Sequence, residues 1–403
     1  MQEKFESNTH SEPEQLESAE KRNERMAMGN ITNEEILEYL NHPEDVLFSH
    51  KLVSEKKGEK IETDIKVRAL TKDFLEPTLE SLKNSWDDVS FENLRETLTA
   101  YFEQKETGKP GLLNVEYYIA TDQEDKPLAM TGLYTIDIQG GAGFSTKNHL
   151  DTEKHNLNMG LGWYSVSKEA QGTGLGKYFL DWTENLAKTR GAKHFEVETD
   201  DWSVSEKAVK MYQKSGYKEG FPVKDFYGPR RDLNVYYCDC SKEKDAEQTV
   251  EPAEITEENK EKIIQIAKEN YSPERFEEFM ACLDLFLQQD KGSGAIFTGH
   301  SAVFTDSSGQ PESFAIYVDG IYDNCSLVYW LGANGKDASA KANLLSGIKS
   351  ISKGNDKDIL MIYNENEDEG LRAGGFKKAK HGVPGVFGKG DKTKFLLFTK
   401  LLN

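Results

Sequence analysis

The segment that most restricts the fold is VSKEAQGTGLG at residues 166–176, followed at once by KYFLDWTENLAKTR at 177–190. In the second stretch Phe179, Trp182 and Leu186 share one helical face with Leu175 one turn before them, while Lys177, Asp181, Glu184 and Lys188 occupy much of the opposite face. Residues 161–166 read as a strand, so the order is strand, short loop, three glycines, amphipathic helix. That order aims backbone N–H groups and the positive end of a helix dipole at one spot, the arrangement by which proteins hold phosphate or pyrophosphate. Gly172, Gly174 and Gly176 let the chain approach such an anion without a Cβ in the way.

Spacing separates the kinds of nucleotide loop. A G-x-x-x-x-G-K-[ST] phosphate loop needs glycine where Gln171 stands and Ser or Thr where Tyr178 stands. A dinucleotide fingerprint needs G-x-G-x-x-G in an early βαβ unit, whereas these glycines run G-x-G-x-G after several strands. What remains is Q-x-x-G-x-G, carried by Gln171, Gly174 and Gly176. Downstream come a strand, HFEVET at 194–199, and a helical stretch, SVSEKAVKMYQKSG at 203–216, with Tyr217 after it. Ser203 and Glu206 have capping-box spacing, Ala208, Met211 and Tyr212 give an apolar face, and Gly216 suits a helix C-cap.

This succession resembles the GNAT superfamily of N-acyltransferases, whose acetyl-CoA loop is written Q/R-x-x-G-x-G/A, and the resemblance covers residues 61–241. It implies acetyl-CoA as co-substrate and no metal. It implies that main-chain amides of Gly172, Thr173, Gly174, Leu175, Gly176 and Lys177, after the motif's Gln171, hold the CoA pyrophosphate. The backbone of Tyr164, Ser165 and Val166 would pair with pantetheine like an added strand, beside a cleft where that strand splays from its neighbour. Tyr212 matches the tyrosine that protonates the departing sulfur; its other reading is a phenol packed on the helix face.

Attack of an amine on a thioester needs a free lone pair, and a lysine-like amine, with a pKa near 10.4, is nucleophilic only to about one part in a few thousand at neutral pH. Many relatives place a Glu on the strand before the loop, but here that strand reads NMGLGWYSV. Glu196 and Glu198 alternate with Phe195 and Val197 and so project to one face, with Asp200 and Asp201 at the strand's end; Glu198 is the first choice as base, and Glu116 on an earlier strand is another candidate. Each acid taken singly also reads as a solvated or salt-bridged side chain. His149 and His155 fall in a polar stretch, 140–158, that relatives use to shape the acceptor site.

The rest of the chain falls into place around this unit. Its 403 residues favour two domains. Residues 1–30, rich in Glu, Ser, Asn and Gln, read as a disordered acidic tail or an arm ordered only by contact; 31–60 read as a helical extension, with Thr32 and Glu35 at capping-box spacing. Residues 242–252 read as a linker, and a strand at 233–240 is expected to close the first unit. Residues 253–403 repeat the plan: LRAGGFK at 371–377 aligns with YQKSGYK at 212–218, but GANGKDASAK lacks Q-x-x-G-x-G, and Leu371 stands where Tyr212 stood. The expected architecture is therefore α+β, two tandem GNAT-like folds, each a mixed, mostly antiparallel sheet flanked by helices, the second without the chemistry.

A formal charge of −20 disfavours nucleic acid and leaves a small-molecule amine or a basic peptide as the acceptor. No stretch has the apolar length of a membrane span, the four cysteines lack disulfide or zinc spacing, and no secretory signal is visible, so a cytoplasmic location is the default. Oligomeric state stays open, a homodimer included. Two other readings are kept: a non-catalytic acyl-CoA-responsive regulatory protein, and aminoacyl or peptidyl transfer, against which the well-formed loop argues.

Overall fold

The computed structural model describes residues 17–403 apart from 41, 57, 108–114, 137–157, 193, 201–205, 221–233, 240–251, 289–298, 323–324, 335–337, 355–358, 365–368, 374, 381–382, 385–393 and 402–403. Helices α1 (Ala19–Ala27) and α2 (Asn33–Leu40) precede a hairpin of β1 (Phe48–Lys56) and β2 (Glu59–Ala69). Then come α3 (Lys72–Leu82), a 3-10 turn at Lys83–Ser85, α4 (Asp88–Thr107), β3 (Val115–Thr121), β4 (Pro127–Ile136), β5 (Asn158–Leu161), β6 (Ser165–Val166), α5 (Leu175–Thr189), β7 (His194–Asp200), α6 (Glu206–Lys214), β8 (Lys218–Glu219) and β9 (Asn234–Asp239). The second half holds α7 (Lys260–Asn270), α8 (Pro273–Gln288), β10 (Gly299–Thr305), β11 (Pro311–Tyr322), β12 (Cys325–Ala333), α9 (Ala338–Gly354), β13 (Ile359–Asn364), α10 (Glu369–Ala373), β14 (Lys377–Lys378), β15 (Val383–Pro384) and β16 (Lys394–Leu401).

Alternation along the central strands explains the layers. In β3, Tyr118 and Ala120 pack toward α5 with Phe179, Trp182 and Leu186, while Tyr117 and Ile119 pack with Leu75, Leu79, Leu94 and Leu98 of α3 and α4. A strand buried on both faces needs apolar residues at both parities, as this one has. The second half repeats the sandwich. In β11, Phe314 and Ile316 join Ile263, Ile266, Phe279 and Leu283 of α7 and α8; Ala315 and Tyr317 join Leu344, Leu345 and Ile348 of α9. Tyr134 of β4 lies in the core formed by α7 and α8, so the first sheet is sewn into the second half.

The turn after the short helix is the same in both halves. Gly216 has φ +87° and Gly375 φ +86°. Tyr217 N–H donates to the Tyr212 carbonyl at 3.1 Å, and Phe376 N–H to the Leu371 carbonyl at 3.0 Å. A left-handed residue followed by this backward bond is a glycine C-cap, and it fixes the alignment of Leu371 with Tyr212.

Sheet order corrects the boundary read from the sequence. The first sheet runs β1-β2-β3-β4-β5-β7-β16-β15, with β6 on β4 and β8 on β16; the second runs β10-β11-β12-β13-β9-β14. The strand expected to close the first unit, β9, pairs antiparallel with β13 of the second sheet from Ile359–Asp239 to Asn364–Asn234. The strand expected to close the second, β16, pairs antiparallel with β7 of the first from Phe395–Asp200 to Leu401–His194. The two halves exchange their last strands, each filling the slot between the parallel strand and the short strand after the glycine cap. Both slots accept a short strand antiparallel to its neighbour, so local pattern alone does not distinguish them.

The N-terminal region departs from its reading too. Residues 19–27, inside the stretch read as a disordered tail, form α1, whose Met26 and Ala27 are buried in the first core. The amphipathic arm is ordered by contact: Trp182 Nε1 donates to the Met26 carbonyl at 2.9 Å and Tyr178 Oη to the Ala27 carbonyl at 2.7 Å. The Thr32/Glu35 capping box forms reciprocally, at 3.0 and 3.2 Å, and Arg25 pulls the Glu35 carboxyl down to about 2. Residues 48–56, read as part of a helical extension, are a strand, because their alternating apolar side turns onto α5.

Candidate active site

The site begins where two strands part. β5 and β7 pair in parallel from Asn158–His194 to Leu161–Val197, and the pairing then stops. The chain continues through residues 162–164 into β6, which stays on β4 through the pairs Met130–Ser165 and Ala129–Val166. Gly132 and Gly162 make this bend possible, their Cα atoms so close that a Cβ on Gly162 would lie 3.1 Å from Gly132. Beyond residue 197, β7 is held only by β16 among the described strands, so a wedge opens between β6 and β7.

One wall of the wedge offers backbone. Ser167 N–H bonds to the Leu128 carbonyl at 2.8 Å, so the antiparallel alternation turns the polar groups of Val166 away from β4. The Val166 carbonyl already accepts from Ser85 Oγ at 2.9 Å and from Gln171 Nε2 at 3.3 Å. Gln171 therefore braces the strand against the loop rather than reaching out.

The loop closes the wedge. Turns hold it internally: Gln171 N–H donates to the Ser167 carbonyl, and Thr173 Oγ1 donates to the Ala170 carbonyl and receives Leu175 N–H at 3.4 Å. Gly172 and Gly174 have φ of +83° and +87°, and Gly174 is the N-cap of α5. The first helical bond is Tyr178 N–H to the Gly174 carbonyl, so the amides of Gly176 and Lys177 lie in the turn that has no intrahelical acceptor. Lys177's side chain folds back on Asp181, so it is its amide that faces the loop's anion position. This cradle, with left-handed glycines where a Cβ would intrude, fits a pyrophosphate.

Tyr164 and α6 complete the floor. Tyr164 Oη donates to the Gly176 carbonyl at 2.5 Å, and a Cβ on Gly176 would meet that hydroxyl at 3.1 Å and Met211 Sδ at 4.0 Å. Tyr212, next to Met211, is 4% exposed and packs against Tyr217, their ring centroids 5.9 Å apart. It also acts electrostatically on Tyr164, whose hydroxyl is pushed well up, chiefly by burial and then by Tyr212. The structure thus brings Tyr164, Gly176 and Tyr212 to one place.

The acids sort themselves. Glu116 is excluded as a base: its carboxylate is buried, 2.7 Å from Arg190 Nη1 and 2.6 Å from the Tyr118 hydroxyl. Glu196 and Glu198 lie on the α3/α4 side of β7, opposite Phe195 and Val197, which pack in the α5 core. Glu196 stands beside Gly160 in register, and the Tyr134 ring lies over that glycine, where a Cβ would sit 2.2 Å from Cζ. Tyr134 Oη donates to Glu196 Oε1 at 3.2 Å. Burial, then the neighbouring Glu198 carboxylate, hold the Glu196 carboxyl well above the usual carboxylate range. Glu198, half-buried, comes one pair later, past the last β5–β7 pair and so inside the wedge. Glu196 as the partner of Glu198 was legible only as a shared face; its burial under Tyr134 was not. His149, His155 and Asp201 lie outside the described residues, as does the side chain of Asp200.

The second half has the same wedge, filled by its own side chains. β12 pairs in parallel with β13 only from Cys325–Ile359 to Val328–Ile362. Past that point Tyr271 Oη donates to the Leu331 carbonyl at 2.7 Å and accepts Leu331 N–H at 3.1 Å. The Asn270 amide likewise bonds the Ala333 carbonyl at 2.7 Å and N–H at 3.5 Å. The polar edge that a pantetheine arm would need is thereby satisfied from within. Among the described residues no cluster of three His, Cys, Asp or Glu could hold a metal, and no helix is long and apolar enough to cross a membrane.

No curated protein matches the chain. A GCN5-related glucosamine N-acetyltransferase region in a fungal multi-domain GH3 β-N-acetylglucosaminidase superposes on 83% of this chain at 11% identity and TM-score 0.50, and the chain spans 38% of that protein's length. A tandem GNAT protein of the clavulanic acid biosynthesis pathway aligns over 84% of this chain and 98% of its own, at 8% identity and TM-score 0.47. A GCN5-related N-acetyltransferase from Sphaerobacter thermophilus aligns over 84% and 95%, at 14% identity and TM-score 0.42. Residues 79–217, from α3 through the wedge, the glycine loop and α6, match the acetyltransferase (GNAT) family, and the first unit of this chain belongs to it.

Proposed function

We propose that the chain is a CoA-dependent N-acyltransferase that passes an acetyl group from acetyl-CoA to a primary amine, in a small molecule or a basic peptide, in the wedge between β6 and β7. The observation that carries this reading is the convergence on one wedge of the glycine cradle, Tyr212's helix and Glu198. The bound thioester supplies an acyl carbon that an amine attacks directly, forming a C–N bond as the C–S bond breaks. The amides of Gly172, Gly174, Gly176 and Lys177 would neutralise the pyrophosphate, those of Thr173 and Leu175 bonding within the loop, and Tyr164, Ser165 and Val166 would align the arm through the polar groups that remain on that strand. Glu198 would take the ammonium proton, with Glu196 buried beside it, its carboxyl pushed upward by burial and by the Glu198 charge. Tyr212 Oη would give its proton to the departing sulfur.

Calorimetry with acetyl-CoA tests the first step. Binding is expected in the unsubstituted chain and lost in Gly174→Asp, where a side chain and a charge enter the cradle. Binding unchanged by that substitution would overturn the reading. The burial of Tyr212 favours a second reading, a non-catalytic acyl-CoA-binding regulatory protein. Free thiol that stays at background across a panel of amines, despite binding, would select it.

A further inference from the structure

The face of the sheet that carries Glu196 and Glu198 is lined by aromatic rings. As β5 becomes β6 the chain gains a residue on its neighbour: Leu133 pairs with Leu161, yet Met130 pairs with Ser165. The bulge lets Trp163 pack on the α3/α4 core, the same side of the sheet as the two acids. Trp163 follows Gly162, which continues the β5–β7 register opposite Glu198. Trp86 meets it edge to face, the ring centroids 5.4 Å apart. The backbone at Trp86 is pinned on both sides, since Ser85 Oγ donates to the Val166 carbonyl at 2.9 Å and Asp87 Oδ1 accepts Ser90 N–H at 3.0 Å at the start of α4. Both indoles are nonetheless only half-buried.

The other wall comes from the second half. Tyr134, whose ring lies over Gly160 and whose hydroxyl donates to Glu196, is packed in the core of α7 and α8. Its partner across the β3–β4 ladder, Val115, packs against that core and against the α3/α4 core alike. The two cores therefore meet beside the acids, with Trp86 and Trp163 on one and Tyr134 on the other. An ammonium is drawn both to a carboxylate and to aromatic rings. A carbon skeleton covering the indoles gains the burial that the fold leaves unused, whereas a second charge or a set of hydroxyls there would lose its water.

We propose that this face is the acceptor subsite and that the acceptor is a primary amine on an apolar, otherwise uncharged body, its nitrogen toward Glu198 and its carbon skeleton against Trp163 and Trp86. This rests on the reading of the wedge as the site of acyl transfer and narrows its acceptor, setting polyamines and basic peptides aside. It also gives the second half a part in the site, as the support that holds Tyr134 over the strand row bearing the acids.

The test is release of free thiol from acetyl-CoA by the full chain with hexylamine, benzylamine, ethanolamine and putrescine, for the unsubstituted protein, Trp86→Leu and Trp163→Leu. Leucine keeps apolar packing on the α3/α4 core, and an unchanged melting temperature reports an intact fold. In the unsubstituted protein kcat/KM for hexylamine and benzylamine is expected to exceed that for the two polar amines by about tenfold or more, what a methylene or two is worth in an apolar pocket. Each substitution is expected to raise KM for the apolar amines about tenfold while CoA affinity and KM for ethanolamine stay nearly unchanged. Ethanolamine or putrescine turned over as well as hexylamine, or a preference that survives in both variants, would overturn the subsite and leave the transfer reading standing. Thiol release that stays at background with every amine would overturn both.

Discussion

Deletion of residues 394–403 removes the C-terminal strand and ought to disable the N-terminal half. β16 contributes to the first sheet the ladder from Phe395–Asp200 to Leu401–His194, in which seven residues of β7 find partners. At roughly one backbone bond per pair and about 1 kcal/mol net each, the ladder is worth roughly 5–7 kcal/mol. That is comparable with the whole stability of a domain, about 5–15 kcal/mol. β8 also hangs on β16, through Phe398–Glu219 and Thr399–Lys218, so its anchorage goes as well. The wedge suffers directly, because beyond Val197 the strand carrying Glu198 has no other described neighbour. Urea unfolding followed by tryptophan fluorescence would report the change, since Trp182 lies in the affected core. The truncated chain is expected to lose its cooperative transition or shift it by several kcal/mol, with acetyl-CoA binding lost in parallel. A first-half transition and CoA affinity that survive the deletion unchanged would refute the exchanged-strand argument.

Four further substitutions probe the site and its surroundings. Tyr212→Phe should lower turnover at least tenfold while leaving CoA affinity nearly intact, and Glu198→Gln should do the same with loss of the acidic limb of the kcat/KM profile; equal turnover would remove either role. Glu196 has its folded-state pKa raised, so the stability it contributes is fully present below the ordinary carboxylate range and declines as pH rises toward the folded value. The melting temperature should therefore fall less between pH 5 and pH 8 in Glu196→Gln than in the unsubstituted protein, and parallel curves would contradict this. Glu116→Gln leaves the Arg190 guanidinium, 1% exposed, buried without its counter-charge, and should cost about 3–5 kcal/mol in denaturant unfolding. A cost below about 1 kcal/mol would show that the pair is solvated.

Much of the site was legible because its signals are local. The glycine loop, the helix behind it and the cap after Tyr212 each depend on residues within a few positions of one another, and each formed where the spacing put it. The capping box at Thr32 belongs with them. Glu116 and Glu196 show the opposite case. Both are acids on strands with apolar neighbours, and nothing near either in sequence says that one meets Arg190 and Tyr118 while the other meets Tyr134. Asn270 and Tyr271 are likewise unremarkable in sequence, and only their position across the second wedge explains why that half has no open backbone edge.

By itself the sequence determined the class of fold, the place of the glycine loop before α5 and the lack of Q-x-x-G-x-G in the second half. These follow from steric and hydrogen-bonding demands that a handful of adjacent residues either meet or fail. Only the tertiary structure decided that β9 and β16 trade sheets, that α1 and β1 pack on α5, and that of three acids one is locked in an ion pair, one is buried under Tyr134 with its carboxyl pushed upward, and one faces the wedge. The physical reason is common to all three. Periodicity reports which face of an element is buried, whereas partner, register and electrostatic environment are set by residues distant in sequence, 62 positions away for Tyr134 and Glu196.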